Sequence, residues 1–213
     1  MIKNKKIIFF DFDGVIKESL DIKGKAFQNL FKNKDQLFKK KVLDHHILYG
    51  GVSRYEKIPL YLKWAGFEIN ENIIDNYQKL FSHNVVEAVI NSDWVPGAEL
   101  FIKNNYFDQN FYLVSATPEK ELIFITKKID IFKNFIEVRG SPEIKEDIIS
   151  SIMKKNKYDL NDAIMIGDMK VDLDAARHNS IDFILRSHKF NQDLINQFKS
   201  KSFNSFIDLI NHF

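Results

Sequence analysis

The chain has 213 residues, with 31 Lys and Arg against 29 Asp and Glu, a formal net charge of +2. Hydrophobic residues at 45% and charged residues at 28% are ordinary for a globular protein and exclude disordered, collagen-like and low-complexity scaffolds. The near-zero balance argues against a dedicated nucleic-acid binder, and the absence of Cys excludes disulfides, thiolate catalysis and Cys-ligated metal centres.

The N-terminus is basic at Lys3, Lys5 and Lys6, but the apolar run Ile7–Phe10 that follows is cut by Asp11 and is too short for a signal peptide. No stretch approaches the ~20 apolar residues that a membrane helix needs. The expectation is a soluble, cytoplasmic, monomeric protein with neither a membrane nor a nucleic-acid partner. Ile7–Phe10 reads as a strand buried on both faces of a parallel sheet, stopped at Asp11-Phe12-Asp13-Gly14. Over residues 19–92 the apolar positions recur at helical intervals (Phe27, Leu30, Phe31; Ile58, Tyr61, Leu62; Ile73, Ile74, Tyr77), which predicts a helical insertion. Within it, Lys39-Lys40-Lys41 reads as a solvated face. His45 and His46 point to different sides of a helix and have no partner at i+4, so a surface or hinge role is expected rather than a metal site.

Trp94-Val95-Pro96-Gly97 reads as the linker back into the first domain. Three more β runs follow: Phe111-Tyr112-Leu113-Val114, stopped at Ser115; Ala163-Ile164-Met165-Ile166, stopped at Gly167-Asp168; and the weaker Asp182-Phe183-Ile184-Leu185. Helices are predicted over Glu119–Lys128, after Pro118, and beyond Ser141-Pro142, where Ile144, Ile148, Ile149 and Ile152 share a face. Residues 191–213 read as one amphipathic helix packed back on the core. Alternating strands and helices predict an α/β core over residues 1–17 and 93–213, with residues 18–92 as the inserted helical domain.

In an open parallel sheet, ligands gather beyond the carboxyl ends of the strands. Three runs end there with Asp11 and Asp13, with Ser115, and with Asp168, and Lys145 stands early in a following helix. Packed carboxylates repel one another and suit a hard cation bound through oxygen, while a hydroxyl and an ammonium suit the oxygens of a transferring phosphoryl group. A carboxylate nucleophile splits one hard displacement into two easier ones, and a second carboxylate can handle the protons.

Asp11-Phe12-Asp13-Gly14-Val15, Val114-Ser115, Gly140-Ser141-Pro142-Glu143-Ile144-Lys145 and Gly167-Asp168-Met169-Lys170-Val171-Asp172 resemble, in order, the four motifs of haloacid dehalogenase (HAD) superfamily phosphatases. The resemblance implies a Rossmann-like core with a parallel sheet flanked by helices and an inserted α-helical cap. It also implies a Mg²⁺-dependent phosphatase of a small phosphorylated metabolite. Asp11 would then be nucleophile and metal ligand, and Asp13 the acid/base with its carbonyl facing the metal. Asp168 and Asp172 would complete the metal site, and Ser115, Lys145, Ala116 and Gly14 would bind the phosphoryl group.

The insertion resembles the cap of the branch with phosphoglycolate phosphatase and β-phosphoglucomutase, which implies that Ser53 and Arg54 read the substrate from the cap. Glu18 and Lys23 depart from that branch's pattern: Glu18 stands where Asp is usual, and Lys23 stands where the mutase has a hinge His that transfers protons. Lys23 therefore weighs against the rival reading as a phosphosugar mutase. A non-catalytic phosphometabolite-binding module is the second rival. The Gly-Ser-Pro-x-x-Lys form of the third motif resembles enzymes of cell-surface polysaccharide or capsule precursors; a phosphoglycolate-type acid is the other candidate substrate.

Overall fold

The computed structural model describes residues 2–198 and 201–212. Its centre is β1 (Ile7–Phe10), four residues buried on both faces. Because side chains alternate along a strand, Ile8 and Phe10 enter one apolar layer while Ile7 and Phe9 enter the other. β2 (Asn110–Pro118) and β4 (Ala163–Gly167) pair with β1 in parallel, one on each side. β3 (Glu137–Ser141) lies outside β2, and β5 (Asp182–Arg186) and then β6 (Ser202–Phe203) lie outside β4. The order is β3-β2-β1-β4-β5-β6, parallel throughout.

Two strands depart from the sequence reading. β2 continues four residues past its apolar run, and its register against β3 shifts between Ser115 and Pro118. β3 has no apolar run at all. It is an edge strand whose Arg139 is ringed by Glu119, Glu137 and Glu143, a charged edge of the kind that resists pairing with other chains.

Helices cover both faces. α5 (Ala98–Asn104), α6 (Glu119–Lys128) and α10 (Phe206–His212) bury Phe101, Leu122 and Leu209 against the Phe10 side. α7 (Lys145–Asn156) and α8 (Lys170–His178) bury Ile148, Ile149 and Leu173 against the Phe9 side, where α9 (Gln192–Phe198) also packs. The single C-terminal helix expected over 191–213 is therefore two helices separated by β6. Leu194, Ile195 and Phe198 serve one face of the sheet and Phe203, Phe206 and Leu209 the other, which no single helix can do. Lys199, Ser200 and Phe213, within that expectation, and Met1 lie outside the described residues.

The insertion is α1 (Leu20–Leu30), α2 (Gln36–Leu48), α3 (Arg54–Trp64) and α4 (Glu71–Ile90). Side-chain caps start three of them: Asp35 accepts from the Phe38 amide at 2.8 Å, Ser53 from Tyr55 at 3.3 Å, and Asn70 from Ile73 at 3.0 Å. α1 packs on α2 and α4, and α4 reaches down to α6. Phe27, Tyr61 and Phe81 of the insertion belong to the same apolar cluster as Phe10, so the core is continuous from sheet to insertion. The chain enters and leaves the insertion side by side: the Glu18 amide donates to the Asp93 carbonyl at 2.9 Å, and Lys17 pairs with Trp94 in a short antiparallel bridge. No helix among the described residues is long and apolar enough to cross a membrane.

Candidate active site

β1, β2 and β4 all end on one side of the sheet, and the residues just past them converge. The Asp11 amide donates to the Ile166 carbonyl at 2.9 Å, which continues the β1–β4 ladder one residue and fixes the Asp11 carboxylate beside β4. Asp11, Asp168 and Asp172 are all buried and each presents a carboxylate oxygen within 4.8 Å of the others. Two glycines make the approach possible. A Cβ on Gly14, which has φ of +74°, would strike the Asp168 carboxylate, and one on Gly167 would strike Asp172.

Lys145, the first residue of α7, places its Nζ 2.8 Å from Asp11 Oδ1 and 2.5 Å from Asp172 Oδ1. Burial opposes its charge, but Asp11 and Asp172 outweigh that and raise its pKa. The other Asp172 oxygen accepts from the amides of Asp168 (3.1 Å) and Met169 (3.0 Å), capping α8 and holding the Asp168 turn. Both Asp172 oxygens are therefore engaged.

Asp168 is differently placed. His188, just beyond β5, bonds its Oδ2 at 2.8 Å, while Oδ1 is buried with no hydrogen-bond partner. The Phe190 amide donates to His188 Nδ1 at 3.1 Å, which leaves the proton on Nε2 to be donated to Asp168. Burial pushes the His188 pKa down to about 4, in keeping with that neutral tautomer. Asn191 ties the Asp168 carbonyl to the Arg186 carbonyl, both at 2.8 Å. Burial holds the Asp11 carboxyl well above the usual range against the pull of Lys145, with repulsion from Asp172, Asp168 and Asp13 adding to it; Asp168 is raised likewise. A buried, orphaned carboxylate oxygen beside a second carboxylate, all donors oxygen, fits a hard divalent cation held by Asp11 and Asp168.

Asp13 points elsewhere. Its Oδ2 meets the Lys23 ammonium and the Thr117 hydroxyl (3.1 Å), and its Oδ1 accepts from Ser19 at 2.6 Å. Lys23 also reaches Thr117 Oγ1 at 2.7 Å. Burial would raise the Asp13 pKa, but the Lys23 charge and these hydrogen bonds reverse the shift and hold the carboxyl below the usual range. Ser115 accepts from the Thr117 amide at 3.2 Å, which leaves its own hydrogen free to donate.

These groups border a narrow cleft between the strand ends and the insertion. Of the residues singled out in the sequence, Asp11, Asp13, Lys23, Arg54, Ser115, Ala116 and Asp168 line it, and Lys145 stands behind Asp11. Gly14 abuts Asp168, but its amide donates to the Lys17 carbonyl at 2.8 Å inside its own turn. Ser53 caps α3 and faces a neighbouring groove. Glu18 is paired with Arg186 at the end of β5. Arg54 lies over the Phe81 ring (4.4 Å) with its fork closed on Glu121 of α6 and one nitrogen 2.7 Å from Ser82.

Four cleft or site residues were not singled out as such. Thr117 follows Ser115 by two along β2, so strand alternation could have found it. Lys57 follows Arg54 by three on α3, the same helix face. His46 is buried in the cleft wall, not at the surface or hinge, because α2 turns it inward against Lys57. His188 sits in a loop with no sequence signal.

No protein-family model and no curated protein matches the sequence. Solved structures match in shape over nearly the whole chain. A predicted phosphoglycolate phosphatase from Haemophilus somnus superposes with a TM-score of 0.78 at 19% identity, covering 98% of this chain and 97% of that one. A haloacid dehalogenase-like hydrolase from Streptococcus pneumoniae gives 0.72 at 19%, covering 100% and 99%. β-Phosphoglucomutase from Clostridium difficile gives 0.72 at 18%, covering 94% and 91%. The fold is thus that of the haloacid dehalogenase-like proteins with a helical cap, shared with phosphoglycolate phosphatases and β-phosphoglucomutase.

Proposed function

We propose that the protein is a Mg²⁺-dependent phosphatase that hydrolyses the phosphate monoester of a small metabolite through an aspartyl-phosphate on Asp11. The observation that carries this reading is the buried Asp11–Lys145–Asp172 array with the orphaned Asp168 oxygen beside it, at the ends of β1 and β4. A dication bound by Asp11 and Asp168 supplies the charge that lets a phosphoryl dianion approach a carboxylate nucleophile.

Ser115 donates to a phosphoryl oxygen, and Lys145 orients Asp11 while offsetting the charge of the transferring group. An Asp11 oxygen bonds phosphorus as the bond to the leaving oxygen breaks, and that oxygen takes a proton from the Asp13–Lys23 pair. Asp13 then takes a proton from water, whose oxygen displaces Asp11 and releases inorganic phosphate. The helices of the cap exclude bulk water during the first step. Suitable substrates are sugar phosphates, including precursors of cell-surface polysaccharide, and small phosphorylated acids.

With p-nitrophenyl phosphate, purified protein is expected to release p-nitrophenol only with Mg²⁺, and Asp11→Asn to lose activity by about 10³-fold or more. Metal-independent turnover, or full activity in Asp11→Asn, overturns the reading. An isomerised sugar phosphate formed without free phosphate would instead support a mutase.

A further inference from the structure

Residues 186–191, at the end of β5 and just past it, touch both the Asp168 turn and the insertion. On one side, His188 bonds the Asp168 carboxylate and Asn191 donates to the Asp168 carbonyl, each at 2.8 Å. The Asn191 side-chain oxygen accepts from the His188 amide at 2.9 Å, and Asn191 and Arg186 are both buried. On the other side, the Arg186 fork closes on Glu18, where the chain enters the insertion, and Lys189 meets Asp21 of α1 at 2.8 Å. Phe190 lines a small cavity with Leu20, Leu43 and Ile47 of α1 and α2. Of the four ion pairs that join insertion to core among the described residues, this segment supplies two.

The Asp168 turn also touches the insertion directly. A Cβ on Gly50 would run into the Met169 side chain, and one on Gly51 into Val171, so the loop between α2 and α3 lies close on the residues that follow Asp168. Asp11 and Asp168 bring two carboxylates together at buried positions, and like charges repel most where water is excluded. A dication between them replaces that repulsion with attraction and fixes the Asp168 side chain. Fixing Asp168 fixes the turn on which Gly50 and Gly51 rest. Through His188 and Asn191 it also fixes the segment that carries Lys189 and Phe190.

We infer that Mg²⁺ by itself, before any substrate arrives, shifts the insertion toward its seat on the core, with residues 186–191 as the connecting element. The two sites are the Asp11–Asp168 carboxylate pair and the insertion–core interface. The two states are the insertion seated, as in this structure, and the insertion swung away about the paired strands at Lys17–Glu18 and Asp93–Trp94. The coupling is reciprocal: a seated insertion tightens Mg²⁺ by the same factor by which Mg²⁺ favours seating. It rests on the metal site proposed above, but not on turnover. The exposed Lys189–Asp21 pair adds little through its charge, so Phe190 and the buried Arg186 carry most of the connection.

The chain has no Cys, so two introduced cysteines take all of a thiol-directed label. Leu37→Cys in α2 and Ser151→Cys in α7 are at exposed positions outside the cleft. Nitroxides there report the insertion–core distance by double electron–electron resonance, without substrate, in saturating MgCl₂ and in KCl of equal ionic strength. Calorimetry sets the saturating concentration for each protein. Mg²⁺ is expected to raise the ratio of seated to open forms by about 5-fold or more, the lower end of ordinary coupling between sites. Lys189→Met with Phe190→Ala is expected to bind Mg²⁺ more weakly by no more than that factor, yet to lose most of the shift, while Phe190→Leu keeps it. Each single change is expected to lose part of it, which decides the matter should the double variant not fold. No Mg²⁺ binding by the wild type overturns the coupling together with the metal site. Binding with an unchanged distance distribution, or a full shift in the double variant, overturns the coupling alone. A Mg²⁺-driven shift in a protein that releases no phosphate from any ester would strike the phosphatase reading and leave the coupling standing.

Discussion

His188 connects a loop beyond β5 to the carboxylate best placed to hold a cation. By donating from Nε2 it fixes one Asp168 oxygen and leaves the other buried without a hydrogen-bond partner. Groups that orient a ligating carboxylate commonly account for about 10- to 100-fold in metal affinity. His188→Ala should therefore weaken Mg²⁺ binding by about that factor in isothermal titration, with little change in the far-ultraviolet circular dichroism; an unaltered affinity would exclude this role. At this scale the sequence is legible where chemistry follows a strand end. Asp11, Asp13, Ser115 and Asp168 each stop an apolar run, and their convergence follows from parallel pairing alone. Thr117 and Lys57 share a face with residues already singled out and were within reach of the same periodicity. His188 and Asn191 were not, because a loop contact depends on tertiary path and leaves no period in the chain.

Among the elements, the strands legible in the sequence are those buried on both faces, since burial demands a continuous apolar run: β1, β4, β5 and the first half of β2. β3 and β6 sit at the sheet margins, where one side meets solvent or a loop, and their sequences carry no such run. The C-terminal segment misleads for another reason: helical spacing of Leu194, Phe198, Phe206 and Leu209 says nothing about which face of the sheet each will meet. The tie between α3 and α6 is likewise invisible in the sequence, because Arg54 and Glu121 are distant along the chain. Removing one partner of a buried pair leaves the other charge stranded. Glu121→Ala should thus loosen α3 from the core and raise amide hydrogen exchange across Arg54–Trp64 by about ten-fold or more, while exchange in β1 and β4 stays as it was. Unchanged protection in α3 would mean that apolar packing alone keeps the cap seated.

For the whole molecule, the +2 net charge conceals a local separation, with carboxylates at the strand ends and the buried Lys57 amine across the cleft. That ammonium couples stability to pH. Its folded pKa of about 7 lies below its ordinary 10.5, so between those values the unfolded chain binds more protons than the folded one. Stability contributed through Lys57 should rise with pH across that window, by up to about 1.4 kcal/mol per pH unit where the slope is greatest. Urea midpoints for wild type and Lys57→Met at pH 7.5 and 9.5 would check this: the gap between the two proteins should narrow as pH rises, and a constant gap would contradict it.

The bridge between Lys17 and Trp94, with the Glu18–Asp93 hydrogen bond beside it, brings both ends of the four-helix insertion to one point on the core. An element that leaves and returns at one point can be lengthened, exchanged or lost by a single recombination event without altering any strand pairing. Such an event would leave the strand-end carboxylates on their sheet, while Lys23, Arg54 and Lys57 belong to the module that it would replace.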